Sequence, residues 1–213
     1  MARKKSDDKR QRILQAAARV FARKGYHGAR VSEIARRAEV ADGTIYLYFR
    51  DKEDILVSLF DEVMREHLKR AHEEIAALGG TREKLLAMAR GHLGLLGGNR
   101  DLAVVFQVEL RHSTKFMERF TASWLQDYFA LLTGIVEEGQ EEGTLRTDLP
   151  LKLVTKSFFG ALDEMVTSWI LSGRDYDLRE LAAPVVELLL NGAAAPRRAG
   201  ARTALAPVAR AAR

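Results

Sequence analysis

Apolar residues along this chain recur every three or four positions, the spacing that keeps side chains on one face of an α-helix, and nowhere do they alternate as a strand requires. Ile13, Ala17, Val20 and Phe21 form the first stripe. It stops at Gly25, a residue that can close a helix without steric cost, which predicts a helix over about 8–24. Val31, Ile34, Ala35 and Ala38 repeat the stripe over two turns. Glu39-Val40-Ala41 then interrupts it, and Gly43 to Phe49 supplies one more short helix with Ile45 and Phe49 inward. Asp51-Lys52-Glu53 opens a longer helix with Ile55, Leu56, Leu59, Phe60 and Val63 on its apolar face, reaching Gly79 and Gly80. Further helices are expected at about 82–96, 100–112, 115–142, 150–172 and 178–191, separated by Gly/Asn, Gly/Pro and Gly/Asp breaks. Only Pro150 and Pro184 fall before residue 192. The pattern predicts an all-α protein of about nine helices, with no repeat of solenoid length, followed by a disordered Ala/Arg/Pro tail over 192–213.

Charge is distributed unevenly over these elements. The net +5 hides 13 basic against 5 acidic side chains in residues 1–50, 16 against 24 in 51–190, and 5 against none beyond. A basic N-terminal module on an acidic body is the asymmetry expected where one small unit meets a polyanion. The absence of cysteine excludes a disulfide scaffold, a thiolate zinc site and a Cys nucleophile. No apolar run approaches the roughly 18 residues of a membrane span, so a cytoplasmic protein without signal peptide or anchor is expected.

The chemistry concentrates in Val31 to Lys52. A small residue, Ala35, sits where two helices of a helix-turn-helix must approach closely, with Val40, Ile45 and Phe49 forming a core beneath. The helix from Gly43 to Tyr48 would then enter the major groove. The expected DNA-facing residues are Arg30, Ser32, Asp42, Gly43, Thr44, Tyr46, Leu47, Tyr48 and Lys52. Gly43 admits close phosphate approach, hydroxyls of Thr44, Tyr46 and Tyr48 can donate to phosphate, and Lys52 adds a cation at a helix start. Arg3, Lys4, Lys5, Lys9 and Arg10 would form an arm along the backbone or minor groove.

Gly25-Tyr26, Ile34-Ala35, Val40, Gly43-Thr44-Ile45-Tyr46, Tyr48-Phe49 and Lys52-Glu53 together resemble the signature of the TetR family of bacterial one-component transcriptional regulators, over about forty residues. Two positions depart from it. Glu39 stands where that family usually has the turn glycine, and Ala41 where it often has a Ser N-cap, which would leave capping to Asp42. The runs Val40 to Phe49, Leu102 to Arg111 and Asp163 to Trp169 are further similar to the FadR-type subgroup. That resemblance implies a repressor of fatty-acid degradation genes released by long-chain acyl-CoA. The division it implies is a DNA-binding domain over 1–50, an effector-binding and dimerisation domain over 51–191, and the basic tail over 192–213.

An acyl-CoA needs an apolar channel and cations for its phosphates. The expected lining is Phe106, Leu110, Phe120, Trp124, Tyr128, Phe159, Leu162 and Val166, joined by Arg111, Lys115 and Arg119 as a basic knot in an acidic body. Each has a plainer reading: the aromatics as ordinary core, the cations as a solvated face. A relative answering another hydrophobic or multidrug-like compound is the alternative effector class. The five histidines (His27, His67, His72, His92, His112) form no i,i+4 pair and read as surface or polar-contact residues, with no metal ligation implied. No P-loop, GxSxG elbow, GxGxxG or paired-carboxylate constellation suggests an enzyme. Phe158, Leu162, Met165 and Trp169, with Leu181, Val185, Leu188 and Leu189, give the last two helices broad apolar faces, which predicts a homodimeric four-helix bundle reading a pseudo-palindromic operator.

Overall fold

The computed structural model describes residues 2–109, 111 and 124–191, and these hold nine α-helices and no strand. They are α1 (Ala2–Gly28), α2 (Val31–Arg37), α3 (Asp42–Ile45), α4 (Lys52–Ala76), α5 (Thr81–Gly97), α6 (Arg100–Val104), α7 (Gln126–Glu141), α8 (Leu151–Ser172) and α9 (Ala182–Asn191). The first helix begins earlier than its apolar stripe, so the expected basic arm lies on helical backbone. It breaks where expected: Gly25 takes φ +70° and leaves the helical region. The short helix expected over 43–49 is a single α-turn, Asp42–Ile45, continued by the tighter turns Leu47 N to Thr44 O and Tyr48 N to Ile45 O. The helix expected over 100–112 is α-helical only to Val104; Val105–Glu109 is a π-helical segment. The tail lies outside the described residues.

α1, α2 and α3 enclose a small core of Ile13, Phe21, Ile34, Ala35, Ile45 and Phe49, all nearly inaccessible to solvent. Ile34 and Ala35 are fully buried in this core, where α2 packs against both α1 and α3. α4 starts at Asp51, whose carboxylate caps the Asp54 N–H at 2.8 Å, and runs from this core into the larger bundle. There α5 is central, touching α4, α6, α7, α8 and α9. Its first turn packs against α7 so tightly that a Cβ on Gly139 would lie 2.6 Å from Thr81 Cγ2. Arg100, opening α6, stacks on Trp169 at 4.6 Å and donates to the Ile170 carbonyl at 2.7 Å, capping the far end of α8. No helix among the described residues is long and apolar enough to cross a membrane.

The expected dimer face needs correction. Phe158, Leu162 and Trp169 are buried within the protomer, because α8 turns that side onto α5, α6 and α7. The exposed apolar residues of the last helices are Leu153, Leu171 and Leu188, at 54%, 80% and 53% of their surface. Between Leu153 and Leu171, Gly160 faces open space.

Candidate functional site

The helix-turn-helix turn is built on Glu39. α2 ends with the Val40 N–H bonded to the Ala35 carbonyl at 3.0 Å and the Glu39 N–H to the Arg36 carbonyl at 3.2 Å, a Schellman closure. That closure requires a left-handed residue between them, and Glu39 supplies it with φ +56°, the one positive φ of a non-glycine residue among those described. Ala41 is the N-cap of α3, in extended conformation and with no side-chain cap. The expectation that Asp42 caps the helix is therefore corrected: Asp42 is its first helical residue, with its charge in the first turn.

Asp42 and Gly43 are exposed and Thr44 is half-buried. Beyond them Tyr46 and Leu47 project with 59% and 80% of their surface free. Side chains so exposed in the turns that follow the one-turn helix are open to base-edge and thymine-methyl contact. Tyr48 is half-buried with its ring 6.4 Å from Phe49. Arg30 and Ser32 are exposed at the start of α2.

Lys52 does not join this face. Its ammonium donates to the carbonyls of Tyr26 at 2.7 Å, His27 at 3.3 Å and Ala29 at 3.0 Å, and lies 4.6 Å from the Tyr26 ring centroid. All three N–H groups are engaged in tying α4 to the broken end of α1, which replaces the expected phosphate contact. Arg10, expected in the arm, pairs with Glu62 of α4 at 2.9 Å and sits over Phe49.

A second site lies in the bundle. A cavity of about 160 Å³ is walled on its apolar side by Met64, Leu95, Leu96, Phe106, Leu125 and Phe159. Its polar wall is His67, His92, Gln107, Arg111, Tyr128 and Asp163. Of the expected effector residues it gathers Phe106, Arg111, Tyr128 and Phe159. Leu162 and Val166 are fully buried core. Trp124 instead donates its indole N–H to Asp61 of α4 at 2.6 Å. Leu110, Lys115, Arg119 and Phe120 lie outside the described residues.

The polar wall is largely self-satisfied. Asp163 accepts from Gln107 Nε2 at 2.9 Å and from Arg111 Nη2 at 2.6 Å, and the Gln107 oxygen accepts from Thr167 at 3.3 Å. Arg111 is thus already neutralised. His92 and Tyr128, with Phe159, form edge-on aromatic pairs with centroids 5.6–5.8 Å apart. Burial holds both the His67 and His92 imidazoles down to about 4, so each is neutral at physiological pH. His92 is 8% exposed and 3.3 Å from the Tyr128 hydroxyl, so of its two readings the polar contact holds and the surface position does not, and Gln107 is equally buried. A glutamine inside the apolar run Leu102 to Leu110 was a visible sign of a polar wall; nothing in the sequence singled out His92.

The two sites are joined through the π-helical segment. Phe106 and Gln107 line the cavity, and Phe106 meets Phe60 of α4 edge-on at 4.7 Å. Three residues after Phe106, Glu109 accepts the Tyr26 N–H at 2.6 Å, the amide released by the break at Gly25. A Cβ at Gly25 would come within 3.5 Å of the same carboxylate.

Residues 13–59 match the family described as bacterial regulatory proteins of the tetR family, and residues 60–192 match the YsiA-like protein C-terminal region. Over 189 residues the chain is 42% identical to the fatty acid metabolism regulator protein of Bacillus subtilis, covering 89% of this chain and 97% of that one. The crystal structure of the transcriptional regulator FadR from Bacillus subtilis in complex with stearoyl-CoA superposes with a TM-score of 0.80, covering 85% of this chain and 98% of that one. The fatty acid degradation regulator FadR from Bacillus halodurans, 40% identical, also gives 0.80 with the same coverages.

Proposed function

The chain belongs to the TetR family of bacterial regulatory proteins, and from that premise we propose that it is a homodimeric, cytoplasmic repressor of fatty-acid degradation genes that leaves its operator on binding long-chain acyl-CoA. The observation that carries the reading is the continuity of cavity wall and DNA-reading domain: Phe106 and Gln107 face the cavity while Glu109 holds the Tyr26 amide. The cavity bounded by described residues is smaller than the roughly 300 Å³ at which ligand clefts begin. A long acyl chain entering it pushes its walls apart, and the π-helical segment is the wall that touches α1 and α4. Effector binding is thereby converted into movement of the reading domain, to the extent that the ligand prefers the moved arrangement. Two copies pairing through the exposed sides of α8 and α9 place the Tyr46 and Leu47 faces on successive major grooves, about 34 Å apart.

The test is operator release. Genomic fragments selected by the purified dimer are titrated with it in the presence of stearoyl-CoA, free coenzyme A or stearate. Stearoyl-CoA at micromolar concentration is expected to lower affinity by about tenfold or more, with coenzyme A alone inactive. Unchanged affinity under saturating stearoyl-CoA overturns the effector assignment, and release by apolar drugs alone transfers it to the multidrug-like class.

A further inference from the structure

We infer that the Nε2–H of His92 is the group that recognises the acyl carbonyl of the bound thioester. The inference rests on the acyl-CoA reading and adds to it a residue that distinguishes a thioester from an alkyl chain.

Asp163 takes Gln107 and Arg111, and Gln107 takes Thr167, so these polar groups of the inner wall have their partners inside the protein. The two histidines differ: half-buried His67 makes no hydrogen bond among those described, and His92 is buried. Its Nδ1 lies 3.3 Å from the Tyr128 hydroxyl, and its Nε2 is buried with no partner. Burial raises the Tyr128 phenol further above its ordinary value, so it keeps its proton, and a protonated hydroxyl can donate to Nδ1 or accept from it. Where it donates, the imidazole proton lies on Nε2, and a ligand group that can only accept selects that tautomer. A buried nitrogen without a partner in an aromatic enclosure is costly unless something entering the cavity hydrogen-bonds to it.

The position of His92 specifies which atom that is. A groove of about 730 Å³ runs along the outside of α4 and α5, and His67 and Leu95 line both this groove and the inner cavity. His67 therefore stands at the junction of the two spaces, and His92, close enough to His67 to feel its charge, lies on the inner side of it. The groove carries Arg70, Arg90 and Arg179 against Glu62, Glu66 and Glu74; Arg70 pairs with Glu66 and Arg179 with Asp177, so Arg90 is the groove cation left outside the described ion pairs, whereas the inner cavity is walled on its apolar side by Leu96, Phe106 and Phe159. An amphipathic ligand with its anionic head outside and its chain inside must place the linking carbonyl beside the histidines. That carbonyl has only acceptor capacity, the complement of a neutral imidazole N–H.

The experiment compares stearoyl-CoA with its thioether analogue S-octadecyl-CoA, which has a methylene where the carbonyl stands. Both are titrated calorimetrically into the full-length protein and into His92→Phe, which keeps a ring of similar shape against Tyr128 and Phe159. The wild type is expected to bind the thioester about tenfold more tightly, and His92→Phe to bind both within about twofold of the wild-type thioether affinity. Equal wild-type binding of the two ligands, or a preference retained in His92→Phe, overturns the assignment while leaving the effector class intact. Failure of the wild type to bind either removes the acyl-CoA reading and this inference with it. Should His92→Phe not fold, 15N-histidine NMR of the wild type decides: a downfield Nε2–H shift with stearoyl-CoA and none with the thioether supports it, identical spectra refute it.

Discussion

Glu39 holds a left-handed backbone, φ +56°, in the turn between α2 and α3, a conformation that costs an ordinary side chain about 1–2 kcal/mol. Replacing it with glycine removes that strain at the expense of a more flexible unfolded chain. Glu39→Gly is expected to raise stability by about 0.5–1 kcal/mol, read as a higher urea midpoint at fixed protein concentration. A lower midpoint would show that the Glu39 side chain contributes more than its backbone strain costs. This residue illustrates what was legible in sequence. Spacing marked Glu39-Val40-Ala41 as the break between the two helices, and the resemblance to the TetR signature placed Glu39 at its turn-glycine position. The fate of Lys52 was not legible, because three carbonyls around Tyr26 become acceptors only once Gly25 breaks α1 beside the start of α4. His92 was hidden for the same reason: burial is decided by which side of α5 meets α7 and α8, and periodicity within α5 does not say.

At the scale of elements, the π-helical segment Val105–Glu109 is a contact between the cavity proposed for the effector and the N-terminal domain. The sequence marked a helix here but not its widening, which arises from the tertiary demands placed on it: Phe106 on Phe60, Gln107 on Asp163, Glu109 on the Tyr26 amide. A regular α-turn spaces residues at 100°, and satisfying all three partners takes a different stagger. Glu109→Gln keeps an acceptor but loses the charge that strengthens the bond. It is expected to bind stearoyl-CoA as the wild type does while reducing, by about fivefold or more, the ratio of operator affinities without and with the ligand. An unchanged ratio would make the Glu109 contact purely structural. The expected fold class, the break at Gly25 and the helix start at Asp51-Lys52-Glu53 agree with the structure because each depends on neighbours a few residues away.

Across the whole molecule, the apolar surface left on α8 and α9 is what a second copy would cover. Leu153 and Leu171 flank Gly160, whose missing side chain lets another helix approach closely. Gly160→Trp is expected to weaken dimerisation by about a hundredfold, seen as monomer by native mass spectrometry with helical circular dichroism retained, and to reduce operator affinity accordingly. A dimer of undiminished stability would place the interface elsewhere. The amphipathic pattern foretold two sides for these helices but not which side each copy keeps for itself, so Phe158 and Trp169 appeared available when they are core. α4 connects this body to the DNA-reading end without interruption over 25 residues. From the cavity residues Met64 and His67 to its start at Lys52 it is a rigid rod of about 20 Å, so a pivot of about 5° at the cavity displaces that end by about 1.7 Å, half the roughly 3.4 Å rise of one base pair. Since the two rods of a dimer swing in opposite senses, a deflection too small to disturb either protomer's core shifts the spacing of the reading heads by about one base-pair step, moving them out of register with the grooves.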